Sequence, residues 1–258
     1  MHFKALTLSA AVLFANATPA VAAVVEVYPA DMNWQNLPGE ARLGATAAIT
    51  DTAPRSGKGS LELIGDRLRF ATGEIYPGAA TTSIASLADV TALTFDWSIA
   101  VDSLSNYSAD YTPALRLHIW DAGANNGAGA RKELIWEGAY NDTYGNTVKG
   151  EWYITSATDK FYISGGSELA GKSIADWASE LAQGSFVAGI SVGAGSGVGT
   201  GYHAFADNVT LSTTSGSTTY NFELPAPVPE PATWAMLIVG FAMIGAGMRR
   251  RTTGVQFA

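Results

Sequence analysis

The chain has 258 residues, with 15 basic and 23 acidic side chains, 28 glycines and no cysteine. Without cysteine there is no disulfide framework, thiolate metal site or thiol nucleophile. Setting aside Lys4 and the arginines at 249–251 leaves 11 basic against 23 acidic groups, a balance of −12 that disfavours nucleic acid and anionic lipid as partners.

Met1-His2-Phe3-Lys4 is a short basic start, and residues 5–15 are an apolar run too short to cross a bilayer. Ala20-Val21-Ala22 offers the small side chains that signal peptidase reads. A signal peptide over residues 1–23, handled by the Sec machinery and signal peptidase, is expected, with the mature chain starting near Val24. Residues 24–28 read as a first strand, 41–50 as a second, and 59–64 as a third after the turn-rich 54–58. Leu93, Phe95, Trp97 and Ile99 share one face of a further strand, while Thr94, Asp96 and Ser98 share the other, the period-two signature of half-burial. Strands follow over 114–120, 132–140, 151–156 and 160–164. Residues 173–181 predict one helix, capped by Ser173, with Ile174, Trp177, Ala178 and Leu181 at helical spacing. Strands over 186–193 and 204–211 flank the glycine-rich turn 193–201, and 218–223 is a last short strand. The pattern predicts an all-β body over residues 24–224, a jelly-roll-type β-sandwich with one short helix.

Residues 225–231 are a stiff, proline-rich linker. The uncharged run from Ala232 to Met248 is 17 residues, at the short end of what crosses a bilayer. Arg249, Arg250 and Arg251 then favour a cytoplasmic end. A transmembrane sorting helix with its basic stop is expected over 232–251, and a cytoplasmic tail over 252–258. Pro229, Glu230, Pro231, Trp234, Ala235, Gly240, Phe241, Gly245 and the three arginines resemble the PEP-CTERM sorting tail of Gram-negative bacteria, also named the ice-binding protein C-terminal domain. The resemblance implies an exosortase as processing partner, cutting near Pro229-Glu230-Pro231. It further implies transient or permanent residence in the inner membrane, then delivery to the periplasm, cell surface or extracellular matrix. Ice binding itself is disfavoured, because the body lacks a ladder of Thr-x-Thr repeats.

Ser56-Gly57-Lys58-Gly59-Ser60-Leu61-Glu62-Leu63, the Leu87-x-x-Val90-x-x-Leu93-x-Phe95-x-Trp97 spacing and Ala206-Asp207-Asn208-Val209-Thr210-Leu211 resemble strands of carbohydrate-binding-module jelly rolls. That resemblance implies a polysaccharide ligand and no catalysis. The residues agree that enzyme signals are poor. Glu133 and Glu137 share a face but stand about 13 Å apart by strand rise, too far for a retaining glycosidase pair. The chain has three histidines and no Gly-x-Ser-x-Gly elbow. The alternatives are a polysaccharide-active enzyme on the same fold, or a permanently anchored surface protein.

Two constellations remain. Along 114–120, Leu115, Leu117 and Ile119 face the core, so Arg116, His118 and Trp120 line the opposite face, with Tyr153 and Tyr162 on neighbouring strands. A ring beside hydrogen-bonding groups on an open sheet is what sugar recognition needs, although a plain cross-strand ladder has the same pattern. Period two also puts Asp207 with Phe205, Val209 and Leu211. A carboxylate on an apolar face needs a counter-charge or several donors. Structural calcium shared with Glu26 or Glu62 would meet that need, as would backbone amides or an arginine.

Overall fold

The computed structural model describes residues 21–37, 39–42, 44–75, 78–165, 171–181, 183–226 and 231–250. The expected signal segment up to residue 20, Pro229, Glu230, Arg251 and the expected cytoplasmic tail lie outside these residues. The alternating stretches form β1 (Val21–Val27), β2 (Gln35–Asn36), β3 (Thr46–Thr50), β4 (Ser60–Ile64), β5 (Leu68–Gly73), β6 (Ala85–Ser86) and β7 (Val90–Ile99). After them come β8 (Ala114–Asp121), β9 (Ala130–Trp136), β10 (Trp152–Ile154), β11 (Tyr162–Ile163), β12 (Phe186–Ala194), β13 (His203–Thr213) and β14 (Gly216–Phe222). Helix α1 (Ile174–Glu180) precedes β12, and α2 (Pro231–Arg250) follows the body.

The first sheet runs β1-β14-β13-β4-β3, with β7 on the other edge of β13 and β10 beyond β7. The second runs β11-β9-β8-β12-β5-β2, with β6 at the end of β12. Leu61, Leu63, Phe95, Trp97 and Ile99 of the first sheet bury against Leu115, Leu117, Ile119, Ile190 and Val192 of the second in one core. Each such side chain contributes about 1.5–3 kcal/mol by leaving water. This is the predicted β-sandwich. Ser173 caps α1 in a reciprocal box with Asp176, and Trp177 anchors the helix by donating from Nε1 to the Phe161 carbonyl at 2.6 Å.

Several boundaries differ from the sequence reading. The first strand begins at Val21, because residues 21–23 already pair in parallel with Gly216–Thr218. The second expected strand starts only at Thr46, after a turn closed by Ala45 N–H on the Arg42 carbonyl. β5 was not expected. It forms because Gly65 at φ 91° and Arg67 at φ 50° reverse the chain after β4.

A larger difference lies in β13. Asp207 pairs with Asp96, but the next pair is Thr210 with Thr94, so Asn208 and Val209 together oppose Phe95. This is a β-bulge at Asn208, whose φ is 49°. It flips the parity of the strand. Asp207 shares its face with Phe205, not with Val209 and Leu211 as period two predicted.

The chain divides into two units, one ending at Leu224 and the other beginning at Pro225. In the second unit, α2 exposes Trp234, Phe241 and most of its other apolar side chains. Among the described residues, no helix is long and apolar enough to cross a membrane. The expected sorting segment does form a helix, α2, over Pro231–Arg250. As a helix its uncharged run of 17 residues measures about 25 Å, at the short end against a hydrocarbon layer of about 30 Å.

Candidate functional site

The predicted alternation of β8 holds, since Leu115, Leu117 and Ile119 are core and Arg116 and His118 point the other way. The openness of that face does not hold. Arg116 is 3% and His118 4% exposed, and Trp120 is half-buried. β8 is flanked by β9 and β12, and chain beyond β5 folds across the sheet. A Cβ added at Gly189, the neighbour of His118, would sit 2.7 Å from Ile75, and one at Gly129 would sit 2.3 Å from the Trp120 ring. Arg116, His118 and Trp120 therefore form no exposed platform.

They lie instead in a buried polar seam. His118 Nε2 bonds Ser191 Oγ at 2.8 Å, and its Nδ1 lies 3.5 Å from Glu133, which also takes Arg69 at 2.8 Å. Burial, reinforced by the charges of Arg69, Arg116 and Arg131, holds the His118 imidazole well below its usual range, so the ring is neutral. Arg116 stands beside Ile135, which stands beside Tyr162, whose hydroxyl donates to Glu137 at 3.0 Å. Arg116 and Tyr162 are thus brought to one place. Burial lowers the Arg116 guanidinium and raises the Tyr162 phenol.

Tyr153 belongs to the other sheet. On β10 it faces Trp97, with ring centroids 4.9 Å apart and stacked, and Trp97 lies 6.0 Å from Trp136. These three rings floor a depression of about 260 Å³, with Asn141, Asp142, Asn146, Thr147, Ser156 and Asp159 among its walls. Val148 N–H fixes the Tyr153 hydroxyl at 2.8 Å, and Asp159 accepts from Trp136 Nε1 at 2.9 Å. Sequence reasoning placed Trp97 and Trp136 in the core, where they are, but missed the 141–147 loop as a wall. Its crowding of Asn, Asp and Thr directly after an aromatic strand was the available signal.

Asp207 is fully buried, and its Oδ1 accepts from the amides of Asn208 and Phe222, both at 2.8 Å. Burial raises its pKa to about 7 against the pull of these amides. Its Oδ2 finds no partner among the described residues. Nearby, Asp96 accepts from Arg55 at 2.8 Å and from Asn208 at 3.0 Å. The calcium set read from the sequence is not assembled. Glu62 takes His203 at 2.8 Å and Thr52 at 3.2 Å, and Glu26 takes the Tyr28 hydroxyl. No group of three or more Asp, Glu or His gathers as a metal site among the described residues.

Comparisons with known proteins bear mainly on the tail. Residues 227–251 match the PEP-CTERM protein-sorting motif. The chain therefore carries the sorting tail of an exported protein of Gram-negative bacteria, handled by an exosortase, a membrane enzyme. Among curated proteins, none matches the chain. Among solved structures, one similar chain is the N-terminal endo-1,4-beta-D-xylanase 10B of Clostridium thermocellum, its CBM22-1-GH10 modules complexed with xylohexaose. Identity is 11%, the TM-score is 0.33, and the match covers 70% of this chain and 26% of that one.

Proposed function

We propose that the exported body is a non-catalytic carbohydrate-binding domain of the cell envelope or extracellular matrix, with its sugar site at the Tyr153 depression. The observation that carries this reading is the half-buried Tyr153 ring, backed by Trp97 and walled by amide, hydroxyl and carboxylate side chains. A rigid ring stacks on the C–H face of a sugar while fixed polar groups read its hydroxyls. The acidic balance of the chain suits a soluble exterior protein.

The test is a glycan array followed by calorimetry on residues 24–224, which build their own core apart from the tail unit. Tyr153→Ala should weaken the best ligand at least tenfold, whereas Tyr153→Phe, which keeps the ring, should retain it. Undiminished binding by the alanine variant would remove the site. Appearance of shortened or unsaturated glycan products would replace the binding reading with a hydrolase or lyase. Sorting is checked separately by mass spectrometry of the mature protein, where loss of everything after about Glu230 is expected. An intact C-terminus would instead support permanent anchoring.

A further inference from the structure

The loop between β7 and β8 rests on the glycine-rich turn between β12 and β13, and neither segment lines the Tyr153 depression. A carbon added at Gly197 would run into the Tyr107 hydroxyl. One at Gly199 would stand 2.9 Å from Asn106 Nδ2, and one at Gly201 would stand 3.0 Å from Leu104 Cβ. Alternate glycines thus let Tyr107, Asn106 and Leu104 lie directly on the turn. Hydrogen bonds fasten them there. The N–H groups of Leu104 and Asn106 donate to the carbonyls of Gly201 and Val198, both at 2.8 Å, and Asn106 Nδ2 donates to the Gly197 carbonyl at 3.1 Å.

This seat fixes Tyr107 without burying it. The residue is 64% exposed, yet its hydroxyl donates to the Ser196 carbonyl at 3.1 Å and its N–H donates to Ser105 Oγ at 3.1 Å. Behind it stands the buried Tyr111, with ring centroids 5.8 Å apart. A free surface ring loses rotamer freedom when a ligand stacks on it, and that loss weakens binding. Tyr107 has already lost that freedom on folding, so it offers a rigid apolar face at little further cost. Ser105, Asn106 and Ser108 flank it with hydroxyl and amide groups. A flat ring beside such groups meets both the C–H face and the hydroxyls of a sugar.

The same loop is fastened to the wall of the Tyr153 depression. Asp110 accepts from Gly145 N–H at 2.5 Å and from Thr147 Oγ1 at 3.1 Å, while Lys149 Nζ donates to the Ser103 carbonyl at 2.6 Å. Thr147 lines the depression, and the next residue, Val148, donates its N–H to the Tyr153 hydroxyl. A fixed ring therefore stands on either side of one hydrogen-bonded seam. We propose that Tyr107 is a second sugar-stacking platform, so that the domain grips a polysaccharide chain and not a single terminal sugar. The proposal rests on the reading of the body as a glycan-binding domain with its first site at Tyr153.

The experiment is calorimetry on residues 24–224 with size ladders, from disaccharide to octasaccharide, of β-1,3-glucan, β-1,4-glucan, β-1,4-xylan and alginate. In the ladder that binds, affinity should rise at least tenfold from the shortest bound oligomer to the longest. Tyr107→Ala should remove most of that rise and leave the shortest oligomer within about twofold of the parent. Tyr107→Phe keeps the ring but frees its hydroxyl end, so its long-oligomer affinity should fall between parent and alanine variant; it also serves as the test should the alanine variant fail to fold. Tyr153→Ala should weaken every length. Affinity independent of length, or a rise untouched at Tyr107, overturns the platform while leaving the Tyr153 reading in place. Absence of binding by every ladder overturns both. Val101 and Leu104 are also exposed on this loop, so phosphatidylcholine vesicles are run alongside. Vesicle binding lost in Tyr107→Ala, with glycan binding unchanged, would make the loop a membrane contact and overturn the proposal.

Discussion

Asp207 in the first sheet and Arg116 in the second are buried charges on the outward faces of their strands, and they are held in opposite ways. Two backbone amides grip Asp207 at 2.8 Å, whereas Nε and Nη1 of Arg116 meet no hydrogen-bond partner among the described residues. Burial alone therefore does not tell how well an ion is held. The count of fixed donors and acceptors around it does. Asp207 ties β13 to β14 through Oδ1, which accepts from Phe222 across the bulge, while its Oδ2 stays without a partner among the described residues. The charge of Arg116 is met only through space, by the carboxylates of Glu133 and Glu137.

The largest effect should fall on the first of these charges. Asp207→Ala leaves the amides of Asn208 and Phe222 without their acceptor, at a cost of about 3 kcal/mol. For a domain of this size the melting temperature should drop by about 6–12 °C. If calorimetry found Arg116→Met equally damaging, the contrast between the two charges would be broken.

A smaller effect sharpens it. The Asp207 pKa is raised from 3.8 to about 7 in the folded state. The unfolded chain therefore releases this proton first as pH rises. The stability contributed by Asp207 is full below about pH 4 and is lost as pH climbs through about 7. Melting curves across that window should show Asp207→Asn, which cannot ionise, losing this part of the decline. A variant as pH-dependent as the parent would mean that other groups set the slope.

The sequence exposed these features unevenly, for physical reasons. The tail motif is a linear string whose meaning needs no fold, so Pro229, Glu230, Pro231 and the arginines were readable directly. The faces of β7 and β8 were readable too, because side chains alternate strictly along a strand. What covers a face is a tertiary matter. Ile75, from the segment after β5, reaches Gly189 beside His118, and Gly189 was the one local hint that something packs there. Asp207 was misplaced by one residue of parity, although Asp-Asn is a pair that tolerates the left-handed backbone of a bulge. Tyr153 was assigned to the wrong sheet, because pairing partners separated by more than fifty residues leave no mark on periodicity.

The parallel pairing of β1 with β14 carries a consequence for biogenesis. The first strand of the body finds its neighbour only roughly 195 residues further along the chain, so its docking is a late event of high contact order. Until that last strand is available, β1 has no partner in its sheet. The sandwich then locks just before the proline-rich linker appears. In chain order, the closing of the body thus falls immediately ahead of the linker and the sorting tail.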